Sequence, residues 1–364
     1  MLFAVSIVGA GPSGLALACD LQSHGIGVLV YSHPHHMRNV NHLRDNGHLR
    51  IRGIIEGYTD LRMTVDMAEV IAFSNIIVLA VPSTGHESML KELMPFNLCQ
   101  HIIVAIPGNL FSLIKGTGLK VANILETNLS PYSCRMDGGD LLVLGRKRRI
   151  FIGALHNDVS ADFYEMIQCI FPFVELKWCH SVIEVCLANV NGVFHPLMML
   201  MNTGRIESTG GDFLLYAEGL TRSVANAMQA VDRVRLQIAA AFGFRLQSTV
   251  DISNECYGQR FTDLVDLAQH SPPHNNLRSP SDMTNRNISE DVPDLLVCWH
   301  GLAEKLEVDA SPINAVIVLV EMATNVNYME TGRNMKRLNL QSLSRKELLA
   351  KFGPYVKSHI ETRL

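Results

Sequence analysis

Phe3-Ala4-Val5-Ser6-Ile7-Val8-Gly9-Ala10-Gly11-Pro12-Ser13-Gly14-Leu15-Ala16-Leu17-Ala18 is the stretch that decides the fold. An apolar run leads into a glycine-rich turn, and the turn opens a helix. Gly27-Val28-Leu29-Val30-Tyr31 then reads as a second strand. Strand, G-x-G-x-x-G turn, helix and strand within about 30 residues form the context in which such a turn holds a dinucleotide. Each glycine has its own task. Gly9 permits the tight turn, Gly11 lets the backbone approach a pyrophosphate, and Gly14 lets helix and strand pack closely. The helix N-terminus adds free N–H groups and the positive end of its dipole.

Further strands are expected at Ile76 to Val81 and Ile102 to Ile106, at 121–126 and 141–144, and at Arg149 to Gly153. The loops Pro82-Ser83-Thr84-Gly85 and Pro107-Gly108-Asn109 end two of them, which brings Pro82 and Gly108 to the nucleotide side. After about residue 180 the spacing turns helical: Ser181 to Ala188, Pro196 to Met201, Thr221 to Phe242, Pro293 to Leu306, Pro312 to Tyr328 and Ser344 to Leu349. Residues 271–290 read as a long polar loop. The expected fold is α/β: an N-terminal Rossmann-type doubly wound domain (1–180) and a C-terminal all-helical domain (181–364). Ligands are expected in the cleft between them.

The second strand bears on cofactor choice. An NAD site usually ends it with a carboxylate for the ribose 2′-hydroxyl. Here Tyr31 is followed by Ser32-His33-Pro34-His35-His36-Met37-Arg38, with no acid. Ser32 and Arg38 suit a 2′-phosphate, which favours NADP(H) over NAD(H). His33, His35, His36 and His42 share no fixed helical spacing and no cysteine partner, so they read as a solvated loop and no metal is expected. The run Arg146-Lys147-Arg148-Arg149 reads as the solvated face of a hairpin.

Composition excludes several classes. The net charge is −4 across 364 residues, which gives no global pull toward nucleic acid or an acidic membrane. The eight cysteines form no C-x-x-C pair, as expected of reduced thiols in a cytoplasmic protein. The apolar start lacks a basic region and reads as a strand, not a signal peptide. No unbroken apolar run reaches the roughly 18 residues a bilayer span needs. Thr362-Arg363-Leu364 only faintly suggests a peroxisomal tripeptide, since its first residue departs from the usual pattern. A homo-oligomer is left open.

Two clusters in the second half carry chemistry. In Asn189-Val190-Asn191-Gly192-Val193-Phe194-His195-Pro196, Pro196 suits the first residue of a helix and so places His195 at its mouth. There it is either a structural cap or an imidazole that gives a proton to a carbonyl or imine. In Arg286-Asn287-Ile288-Ser289-Glu290-Asp291-Val292-Pro293, Asp291 either caps the next helix or orients His195. Arg286 has the planar fork that clamps a carboxylate.

These residues resemble the opine dehydrogenase family, and within it the octopine-synthase type made in crown gall tumours. The resemblance is carried by Gly9-Ala10-Gly11, Val81 to Gly85, Pro107-Gly108, Glu126-Thr127, Ser130-Pro131-Tyr132, Asn189 to Pro196, Arg286 to Val292, Thr331-Gly332-Arg333 and Leu338-Asn339-Leu340. It implies opine biosynthesis: reductive condensation of an amino acid with a 2-oxo acid such as pyruvate, through an imine. It further implies His195 as acid/base, Asp291 as its partner, and Arg286 with Asn191 on substrate. The nearest alternative is a ketopantoate or 3-hydroxyacid reductase. Such enzymes usually carry a lysine where Ser181 to Pro196 has none. A non-catalytic NADP-sensing protein would need the glycine turn but not His195, Arg286 and Asp291.

Overall fold

The structure is a computed structural model that describes residues 3–114, 118–156 and 160–354. Thr362-Arg363-Leu364 lies outside the described residues. The apolar run forms β1 (Ala4–Val8), and Pro12 opens α1 (Pro12–Ser23) at a position where a missing N–H costs no helical hydrogen bond. β2 (Gly27–Tyr31) runs parallel to β1, with Val8 level with Tyr31. There follow α2 (Arg38–Asn46), β3 (Leu49–Gly53), β4 (Gly57–Thr59), β5 (Met63–Thr64), α3 (Met67–Phe73) and β6 (Ile76–Leu79). Next come α4 (His86–Leu93), β7 (Leu98–Ala105), β8 (Val121–Thr127), β9 (Tyr132–Asp137), β10 (Asp140–Arg146), β11 (Arg149–Ala154), α5 (Ala161–Gln168) and β12 (Glu175–Trp178).

The main sheet has eight strands in the order β12-β11-β8-β7-β6-β1-β2-β5. All its pairings are parallel except β11 with β8. Its central strands are covered on both faces. β6 is Ile-Ile-Val-Leu with every residue buried, as a doubly covered parallel strand must be. A second sheet, β4-β3-β10-β9, is not foreseen from the sequence. β10 alternates half-buried and buried residues, so only one face is fully covered. This sheet packs on α1, where the Tyr132 hydroxyl donates to buried Asp20.

Two expectations about the charged stretches are corrected. His33, His35 and His36 do lie in a loop, but His42 stands on α2, against the β9–β10 turn at Gly139. The run 146–149 is no hairpin face. β10 and β11 belong to different sheets, and the run crosses between them beneath the helical domain, where the Arg148 N–H donates to the Cys256 carbonyl. Arg146 pairs with Asp20, and Arg149 with Glu175 and Glu255. Lys147 is buried.

Beyond β12 the chain is helical: α6 (Val182–Leu187), α7 (Asn191–Met201), α8 (Thr203–Thr209), α9 (Arg222–Phe242), α10 (Thr249–Tyr257), α11 (Leu264–His270), α12 (Arg286–Ser289), α13 (Val297–Leu306) and α14 (Ser311–Thr324) lead this half. α9 is its central post. Val224, Met228, Val231, Arg235, Ile238 and Phe242 are buried at alternating spacings of four and three, one continuous face. The stretch Val182–Met201 is long and apolar enough to cross a membrane, but 83% of it is buried inside the fold, so it is a core segment.

Candidate active site

The glycine turn borders a cleft of about 800 Å³ lined by Gly9, Gly11, Ser32, Arg38, Pro82 and Gly85 among others. A Cβ on Gly9 would lie 2.4 Å from the Ala80 carbonyl oxygen, and one on Gly14 2.0 Å from that of Gly9. Gly11 has nothing within 4 Å of that position, so it faces open space. The first turn of α1 has no side-chain cap and no acidic residue, which leaves its N–H groups free for an anion. These features fit a dinucleotide's pyrophosphate.

Ser32 and Gly108 depart from the roles expected of them here, whereas Arg38 and Gly14 keep theirs. The Ser32 hydroxyl donates to the His36 carbonyl at 2.9 Å, so it organises the loop and is not free to donate to a phosphate. Arg38 is exposed on the cleft and has no carboxylate within 4 Å among the described residues. Gly14 works by packing. So does Gly108, where a Cβ would meet the buried Glu126 carboxylate.

On the helical side, Nδ1 of His195 lies 2.6 Å from Oδ2 of Asp291. His195 is not at a helix mouth. α7 begins at Asn191, whose N–H is capped by the Asn189 side chain, and Pro196 sits inside the helix. The proline removes one intrahelical hydrogen bond but does not end the helix, which is held by packing on both sides. Nor does Asp291 act as a side-chain cap. It begins a π-helical turn (Val292–Leu296) ahead of α13, and its carboxylate is spent on His195. With Nδ1 directed at Asp291, Nε2 points the other way, where the Tyr216 hydroxyl lies 3.4 Å off. Asn191 stands four residues before His195 and shares its helix face.

The same turn carries three buried carboxylates: Glu290, Asp291 and Asp294. Ser83, on the loop after β6, donates its N–H to Glu290 at 2.9 Å and its hydroxyl to both Glu290 and Asp294. Burial raises both acids, with Asp291 adding to the rise at Glu290 and Arg333 opposing it at Asp294. Arg333 is itself buried. It donates to the carbonyls of Gly108, Asn109 and Ser83 and to Nδ1 of His86, and pairs with Asp294 at 3.3 Å. The two domains are therefore stitched together beside the nucleotide loops.

Arg286 is the first residue of α12, with its side chain 68% exposed and Glu290 4.0 Å away. Tyr216 and His274 are not marked by the sequence reading, because neither lies near a motif. Arg333 and Glu290 stand inside quoted clusters, but nothing in their spacing shows that they cross the seam. Half-buried His274 packs its ring 5.0 Å from Tyr216 and 5.2 Å from Tyr257.

Residues 178–324 match the family described as NAD/NADP octopine/nopaline dehydrogenase, alpha-helical domain, and residues 4–137 match the NAD-dependent glycerol-3-phosphate dehydrogenase N-terminus. The chain is 27% identical to vitopine synthase of Allorhizobium ampelinum over 350 residues, covering 92% of this chain and 95% of that one. It is also 27% identical to Protein ocs of Agrobacterium tumefaciens, over 93% of this chain and 95% of the relative. A solved octopine dehydrogenase holding NADH and L-arginine shares the fold, with a TM-score of 0.74 at 18% identity, covering 95% of this chain and 98% of that one. With a nucleotide-binding turn on one side of the seam and a His–Asp pair on the other, the chain is a two-domain NAD(P)-dependent oxidoreductase of the opine dehydrogenase type.

Proposed function

We propose that the enzyme joins the amine of an amino acid to the carbonyl of a 2-oxo acid, such as pyruvate, and reduces the resulting imine to a secondary amine. The observation that carries this reading is the His195–Asp291 pair at 2.6 Å, held on the helical face of a seam whose other face is the nucleotide cleft. When bound, a reduced nicotinamide dinucleotide supplies the hydride. Everything else falls to the chain's own groups.

Condensation releases one water, and the departing oxygen needs a proton. His195 supplies it from Nε2, and Asp291 accepts the Nδ1 proton's hydrogen bond and stabilises the imidazolium. Both substrates carry a carboxylate. Arg286 holds that of the 2-oxo acid, and Asn191 contributes from the turn before His195. Gly9, Gly11 and Gly14 shape the phosphate cradle with Pro82 and Gly108 behind it. Arg38 favours NADPH over NADH, because its guanidinium has no acidic partner among the described residues and borders the same cleft. The division of labour falls near residue 180, with cofactor groups before it and acid/base groups after it.

The test is a matrix of amino acids against 2-oxo acids, read as NADPH and NADH oxidation. Consumption that needs both organic substrates is the expected result. Equal consumption with the oxo acid alone would make this a simple carbonyl reductase.

A further inference from the structure

Lys147 is 6% exposed, yet no carboxylate lies within ion-pair distance of it among the described residues. Its Nζ donates to the Ser130 carbonyl at 2.7 Å and sits 5.0 Å from the centre of the Tyr257 ring. One donor is thus satisfied by a neutral acceptor, and two are left. An ammonium taken out of water without a counter-ion is costly, so a fold that keeps one in this state has a use for its charge.

Its surroundings say what that use is. Ser130, which holds Lys147, also bonds through its hydroxyl to Ser13 of the nucleotide turn at 2.6 Å. On the other side Tyr257 meets His274, His274 meets Tyr216, and Tyr216 reaches Nε2 of His195. Lys147 therefore lies between the nucleotide turn and the ring cluster behind the catalytic histidine. The charges of Lys147 and Arg286 both act on the Cys134 thiol, partly offsetting the rise that burial imposes on it, so the two cations flank one locality.

We infer that Lys147 is the anchor for the second substrate carboxylate, that of the amino acid, opposite the one held by Arg286. This rests on the proposed condensation, whose product carries two carboxylates on either side of a secondary amine. The cofactor's phosphates are the less favoured anion, because the Lys147 ammonium packs on Tyr257 of the helical domain and Lys147 is not among the residues lining the nucleotide cleft.

The probe is iminodiacetate, a secondary amine with two carboxylates, compared with N-methylglycine, which has one. Binding is measured by calorimetry on the full chain, saturated with whichever of NAD+ and NADP+ the wild type binds more tightly. The wild type should prefer iminodiacetate by about ten-fold or more, the worth of one charge-assisted hydrogen bond. Lys147→Gln keeps a donor for the Ser130 carbonyl and removes the charge, so it should erase the preference while leaving dinucleotide affinity unchanged. Lys147→Arg should retain most of it, and it keeps the test alive if the Gln variant does not fold. A Gln variant that keeps the full preference, or loses dinucleotide affinity instead, overturns the inference and leaves the condensation standing. A wild type with no preference overturns both.

Discussion

Between Nδ1 of His195 and Oδ2 of Asp291 there is room for one proton and nothing else. That contact directs Nδ1 at the carboxylate and leaves Nε2 as the nitrogen open to the proposed reaction. His195→Ala should therefore cut turnover by about 100-fold or more, and Asp291→Asn should lower kcat while dinucleotide affinity stays put. Near-normal turnover in a folded His195→Ala protein would reduce the histidine to packing. Arg38 makes a different prediction. Arg38→Ala should raise the Kd for NADPH more than that for NADH in fluorescence titration, since only NADPH has the extra phosphate. Equal changes would remove Arg38 from cofactor choice. His274 reports on the interior. Burial, helped by the charges of Lys147 and His195, lowers it from 6.5 to about 3. It is neutral in the fold but charges in the unfolded chain below its ordinary value. Its contribution to stability is whole above pH 6.5 and is lost as pH falls toward 3, by up to about ten-fold in the folding constant per pH unit. Denaturant melts of His274→Phe across that window should show a shallower slope than the wild type.

The elements decide how those side chains meet. α7 carries His195 and packs against α13 through Gly192, where a Cβ would lie 2.6 Å from the Trp299 ring. Gly192→Ala must push the helix away, at a cost of about 1–3 kcal/mol in denaturant unfolding. Because the displaced helix carries His195 away from Asp291, kcat should fall with it. A stable variant with full turnover would show that α13 yields instead. The π-helical turn Val292–Leu296 has a related effect. It widens the backbone where Glu290, Asp291 and Asp294 must serve different partners from one short stretch. The sequence shows Pro196 and Pro293 alike as helix openers. Pro293 does stand in the first turn of its segment, but Pro196 lies mid-helix, because Asn189 caps α7 before the proline is reached.

At the level of the whole molecule, the domains are joined through Arg333, Asp294 and Ser83. Arg333 is the buried cation that holds the Gly108, Asn109 and Ser83 carbonyls from one side and Asp294 from the other. Arg333→Met leaves those acceptors and one carboxylate without their donor, at a cost of about 3–5 kcal/mol. Calorimetry should show a lower and broader transition as the domains begin to melt apart. An unchanged transition would mean that apolar contacts alone hold the seam.

The first domain was legible because its signals are local. Apolar runs become strands, the glycine turn needs backbone freedom within six residues, and both read correctly between Phe3 and Tyr31. The helical half was legible in outline for the same reason, since a period of 3.6 is written within each helix. The second sheet was not, because β3 pairs with β10 across ninety residues. Of the candidate site, His195 and Asp291 were named from residue type and cluster. Their meeting across 96 residues belongs to packing, as do the reach of Tyr216, the burial of Lys147 and the crossing of Arg333. Local backbone preference is encoded in neighbours along the chain. Which side chains share a desolvated seam depends on how two finished domains close on each other, and no window of sequence contains that.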